Sequence, residues 1–171
     1  MGTLLSIIVG SGEYFIDFDY IAPLRFRLSD YHDMSQTNEC YAYFSVVGTF
    51  DPADITQRLG TKPTQSWREG EVNPRTHLER KFSRWSLHSR LEKTSALELH
   101  IADVLDQLDS NSEAFQQLSI GFDGVLQLVA YFHVDFPGLT FERDVVTRLA
   151  QYSLSLDFDF YYLYSEISDN S

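Results

Sequence analysis

Cysteine is nearly absent from this chain. Of 171 residues only Cys40 carries a thiol, so no disulfide can close within it, and a reducing compartment, the cytoplasm, is expected. Cations are few: 13 Lys and Arg face 25 Asp and Glu, for a net charge of −12. Such a surplus repels nucleic acid and anionic membrane, and draws in a cationic partner such as a basic protein. No run approaches the roughly 20 apolar residues that span a bilayer. The opening MGTLLSIIVG has a short apolar stretch without the positive leader of a secretory signal. Signatures of chemistry are missing as well. There is no G-x-S-x-G elbow and no cysteine motif with a local histidine. Neither a G-x-G-x-x-G nor a Walker loop occurs, nor an HxH or HExxH pair. No catalytic residue, cofactor or metal is therefore assigned, and nothing in the chain asserts an enzyme.

Aromatics are present in quantity, 15% of the chain with Tyr and Phe far ahead of Trp, which argues for a packed core. From Cys40 onward the punctuation is regular. CYAYFSVVG alternates as a strand, with Cys40, Ala42, Phe44 and Val46 on one face and Tyr41, Tyr43, Ser45 and Val47 on the other. FDPADITQRLG is a short helix, with Asp51 at the N-cap, Pro52 in the first turn and Gly60 at its end. RKFSRWSLHSR reads as a strand, and the weaker stretch around Trp67 as a loop or short strand before it. TSALELHIADVLDQLDS is helical, with Ser95 and Glu98 spaced as a capping box. SEAFQQLSIG is a second helical stretch that stops at Gly121. GVLQLVAYFHVDF is a long strand, and PGLTFERDVVTRLAQYS a helix with Thr140 as its N-cap. LSLDFDFYYLY alternates as the last strand. The order β-α-β-β-α-β-α-β predicts an α+β fold, a two-layer sandwich with a mixed sheet and the helices on one face.

The chain before Met34 reads differently. Residues 1–33 are an N-terminal extension, either an upstream translation artefact with Met34 as the true start or one or two extra strands. Residues 34–171 read as a single α+β domain.

From Gly48 the residues form a pattern: Gly48-Phe50-Asp51-Pro52, then Ile55-Thr56-Leu59-Gly60, then Pro63-Trp67-Gly70. Together with RWSL and the closing LDFDFYY, it resembles the bacterial domain-of-unknown-function family numbered 4279, over about residues 39–163. The resemblance implies one α+β domain and carries no activity, cofactor or site.

Charge is segregated along the chain. Residues 57–93 hold nine of the thirteen cations and sum to +5, against −17 for the remainder. Arg68 and Arg84 each neighbour a tryptophan, and a planar guanidinium beside an aromatic can hold a carboxylate or phosphate. The competing reading is that these cations pair with the domain's own acids. Trp67 and Trp85 are either stacking surfaces or anchors that tie the basic hairpin to the sheet. Trp67, Arg68, Arg84, Trp85 and His88 form the candidate ligand-binding set. His133 and Asp135 share one strand face and Asp157 and Asp159 another, a weak metal pattern better explained as polar positions on a wet face. Basic and aromatic residues interleave at 67–85, yet the acidic remainder opposes nucleic acid. Two functions are carried forward. One is a non-catalytic interaction module with an acidic surface, immunity-like, that neutralises a basic partner. The other is an anionic small-molecule-binding domain or enzyme with a pocket near Trp67, Arg68 and Trp85.

Overall fold

The computed structural model describes residues 37–133 and 138–163. The readings made for residues 1–33, for Met34 as a start and for Asp135 lie outside the described residues. Five strands and four α-helices follow in the order β1 (Glu39–Gly48), α1 (Pro52–Leu59), β2 (Gln65–Trp67), β3 (Ser83–His88), α2 (Leu97–Leu108), α3 (Ser112–Phe122), β4 (Val125–Phe132), α4 (Arg143–Gln151) and β5 (Ser155–Tyr162). The strands lie side by side as β2-β3-β1-β4-β5. All pairs are antiparallel except β4 with β5, which run parallel and are joined through α4. This is the α+β fold with a mixed sheet.

Register makes the two faces of the sheet chemically distinct. Val46 opposes Trp85, and Phe44 opposes both Leu87 and Leu126, so one face is a continuous apolar field. The helices contribute Ile55, Leu59, Ile101, Leu105, Phe115, Leu118 and Leu149 to the cluster on that face. None of the four contributes to the smaller cluster on the other, which holds Tyr41, Tyr43 and Val129 with Tyr131 and Tyr161 beside them. Aromatic rings lock the main core edge to face: Phe44 meets Phe115 at 5.6 Å and Trp85 at 6.2 Å.

The first helix begins and ends as its residues dictate. The Asp51 carboxylate accepts the Ala53 N–H at 2.9 Å, and Gly60 closes the helix at φ +68°. Three boundaries differ from the sequence reading. The Ser95–Glu98 capping box does not form: α2 starts at Leu97 with Ala96 at the cap position and no side-chain cap bond. Ser95 sits in the preceding turn, donating its N–H to the Glu92 carbonyl at 2.9 Å and accepting the Cys40 thiol at 3.0 Å. α4 starts at Arg143 behind Glu142, so Thr140 caps nothing. α3 continues through Gly121 to Phe122, and Asp123 takes the left-handed turn at φ +49°.

Candidate functional site

Strand alternation carries a set of polar and aromatic side chains to the second face of the sheet. Pairing aligns them in rows: His88, Tyr43, Gln127 and Asp157 across β3, β1, β4 and β5, with Tyr41, Val129 and Asp159 in the next row. Trp67 on β2 opposes Arg84 on β3. His88 stacks on Tyr43, with centroids 4.6 Å apart and planes 12° apart, and lies 6.3 Å from Tyr41. Tyr131 and Tyr161 stack at 5.0 Å.

Burial and charge perturb the titration of this face. Burial, aided by the Arg84 guanidinium, pushes the His88 imidazole down to about 4. Burial and the nearby Asp157 carboxylate raise the Asp159 carboxyl above its ordinary value, against an opposing pull from Arg84. Both groups are thereby biased to the neutral form. Two donors on this face, Arg84 Nε and Gln127 Nε2, are buried without a hydrogen-bond partner among the described residues. An unsatisfied buried donor costs free energy that an incoming acceptor oxygen would recover.

The five candidate residues do not share one place. Trp67, Arg84 and His88 stand together on the second face. Trp85 lies beneath the helices, fully buried, and its indole N–H donates to Thr56 Oγ1 at 3.1 Å. The two indoles are thus on opposite faces of the sheet, because Trp67 is offset from Trp85 by one residue in register. A single pocket cannot be lined by both. Trp67 donates to the Phe82 carbonyl at 3.0 Å, with the Arg80 guanidinium 4.0 Å from its ring centre and that of Arg84 at 5.1 Å. Arg68 points elsewhere and bonds the Asp51 carboxylate, which it helps hold below the usual carboxylate range.

Several cations of the basic stretch are engaged by the domain's own acids. Besides Arg68, Arg90 bonds Asp103 through both its backbone and its guanidinium, and Lys93 lies 3.7 Å from Glu39. The hairpin itself is built by backbone pairing, Gly70 N–H to the Arg80 carbonyl and Arg80 N–H to the Glu71 carbonyl, both at 2.8 Å. Asn73 turns its tip, accepting the Arg75 N–H on its side chain.

Tyr43 and Gln127 were not among the candidate residues, and Asp159 entered only through the weak metal pattern. Their signal was the second register of each strand, opposite the apolar one. β4 and β5 are neighbours, as the metal pattern required. Among the described residues, however, no group of three or more metal-type ligands converges. Away from that face, the Ser89 hydroxyl and His100 Nδ1 are hydrogen-bonded, and the His100 ring is fully buried in the first turn of α2.

The family model for the domain of unknown function DUF4279 matches residues 38–163. The chain belongs to that family. No curated protein and no solved structure matches it. The pattern residues of this DUF4279 domain have visible structural duties here. Asp51 caps α1, Pro52 and Leu59 are buried, and Gly60 ends the helix. A side chain at Gly48 would meet the Phe122 ring at 3.1 Å, and Trp67 anchors the hairpin. No helix among the described residues is long and apolar enough to cross a membrane.

Proposed function

We propose that this DUF4279 domain is a non-catalytic interaction module of the cytoplasm that engages a basic protein partner. An immunity-type protein that neutralises a cationic toxin is one such setting. The observation that carries this reading is how the cations are used. Arg68, Arg90, Lys93 and Arg148 all sit in ion pairs with the chain's own carboxylates, whereas acids outnumber cations by twelve. Glu92, Glu98 and Glu113 are exposed around α2 and α3, where a partner's lysines and arginines meet them without prior desolvation. Complementary charge of this kind sets association rate and specificity. The test is capture of partners from the source cell at low and high salt. A triple variant carrying Glu92→Gln, Glu98→Gln and Glu113→Gln should recover markedly less partner, and the native protein should lose it as salt rises. Equal recovery in all arms rejects the charge argument.

A second reading rests on the two unpartnered donors. Arg84 and Gln127, beside Trp67 and His88, supply hydrogen bonds to an anionic small molecule on the second face. Its test is a fluorescence titration with anionic metabolites. Trp67 should respond, and Arg84→Gln should abolish the response. A metabolite panel without any response counts against this reading.

We also take residues 34–171 as the domain and residues 1–33 as an extension. Mass spectrometry of the native N-terminus distinguishes initiation at Met34 from initiation upstream.

A further inference from the structure

A separate hollow lies at the far end of the core face, where the starts of β1 and α2 meet the ends of β4 and β5. Its volume is about 180 Å³, and it opens in part to solvent. Small side chains make the space. Cys40, Ala96 and Ala130 line it where larger neighbours fill the rest of the core, and Leu97, Phe132 and Phe160 form apolar walls. The thiol of Cys40 is its most polarisable group, and that thiol already donates to the Ser95 carbonyl at 3.0 Å. Burial and then the Glu98 carboxylate push the thiol up, so it stays protonated and behaves as a small hydrophobe.

We propose that this cavity binds a small, uncharged, apolar molecule of about the size of a single aromatic ring. The volume is suitable: an apolar protein cavity of about 150 Å³ accepts benzene. Water is a poor occupant, because an ordered water needs about two to four hydrogen-bond partners and these walls are mostly carbon. Anions are disfavoured by Glu39 and Glu98, which both line the hollow. A cation is disfavoured inside, because no buried carboxylate there would compensate its desolvation. What remains is a neutral ring or branched alkyl group, held by dispersion against Leu97, Phe132 and Phe160 and by removal of apolar surface from water.

The experiment uses the full chain and benzene as the probe. Thermal melts with increasing benzene should show a concentration-dependent rise in Tm, as any ligand selective for the native state produces. Alkylation of Cys40 by iodoacetamide should slow about threefold or more at saturation, since occupancy excludes the reagent. Ala130→Leu fills the hollow from the sheet, and Ala96→Leu fills it from the exposed start of α2. Both should retain the native circular dichroism and lose both benzene effects. If Ala130→Leu does not fold, Ala96→Leu decides, because Ala96 lines the hollow from its exposed side, where added volume enters the space without displacing a buried side chain. A native chain with no shift and no protection overturns the proposal. So does a benzene response that persists in folded Ala96→Leu protein.

Discussion

Arg68, the first residue after β2, bonds the carboxylate of Asp51, and the same carboxylate caps α1 by accepting the Ala53 N–H. One side chain thus ties the start of a helix to the root of the hairpin. Asp51→Ala removes both bonds, whereas Arg68→Ala leaves the cap in place. Asp51→Ala should therefore lower Tm by several degrees, and Arg68→Ala by clearly less, since an exposed ion pair contributes little. Thermal melts of both variants and of the double variant separate cap from pair. Equal losses in the two single variants would show that the ion pair, not the cap, is the stabilising element.

Trp85 is the largest fully buried side chain, and its one polar atom is satisfied by Thr56. Trp85→Ala should cost about 3–5 kcal/mol, as large-to-small changes of core aromatics do. Thr56→Val keeps the shape of the site and strands the indole N–H. It should cost about 1–3 kcal/mol through the unsatisfied buried donor. Urea unfolding measures both, and a Thr56→Val protein as stable as the native one would mean that water reaches the indole nitrogen.

Two glycines three residues apart should respond in opposite directions. Gly124 joins α3 to β4, and a Cβ there would stand 2.6 Å from Ser119 Oγ and 2.9 Å from Ser119 Cα. Backbone cannot yield cheaply, so Gly124→Ala should destabilise by about 1–3 kcal/mol. Gly121 lies inside α3 with nothing within 4 Å of the added carbon. Gly121→Ala should stabilise by about 0.5–1 kcal/mol, because alanine loses less entropy in a helix. Denaturant midpoints of the pair give the signs directly.

The element order was legible because the longer strands alternate and each helix carries an apolar stripe, whereas β2, three residues long, read only as a loop or short strand. α1 was legible in detail, since Asp51, Pro52 and Gly60 are residues with narrow conformational uses. Helix starts at Ser95 and Thr140 were misread for a common reason. A hydroxyl near a helix start suits a cap, but its neighbours in space decide whether it serves as one. At Ser95, the carbonyl is taken by Cys40, 55 residues away in sequence. The candidate site was half legible. Placing Arg84 and His88 on one face, opposite Trp85, follows from alternation along β3, whereas placing Trp67 with them depends on the register of β2 against β3. Tyr43, Gln127 and Asp159 come from three other strands, and only the sheet order brings them onto the face that carries His88.

Acid should weaken the fold in a window set by two histidines that folding desolvates, one half-buried and one buried. His88 is pushed from 6.5 down to about 4 by burial and by Arg84. His100, fully buried against the Ser89 hydroxyl, is pushed down as well, by burial first. Both folded-state values lie below the unfolded one. Above pH 6.5 the rings are mostly neutral in either state, and stability is at its full value. As pH falls below that, the unfolded chain takes up protons that the folded chain refuses, so stability declines until about pH 4. His88 alone accounts for a loss of at most about 3.5 kcal/mol, because each tenfold drop in its proton affinity on folding is worth about 1.4 kcal/mol. Asp159 acts in the opposite direction over the lower part of this range. Its folded value is raised, so protonation there favours the native state. His88→Phe keeps a flat ring on Tyr43 and removes the titration. Urea midpoints between pH 7 and 4 should fall steeply for the native chain and less steeply for His88→Phe. Parallel slopes would mean that the imidazole takes up its proton in the folded state as readily as in water, and that the stack on Tyr43 does not exclude charge.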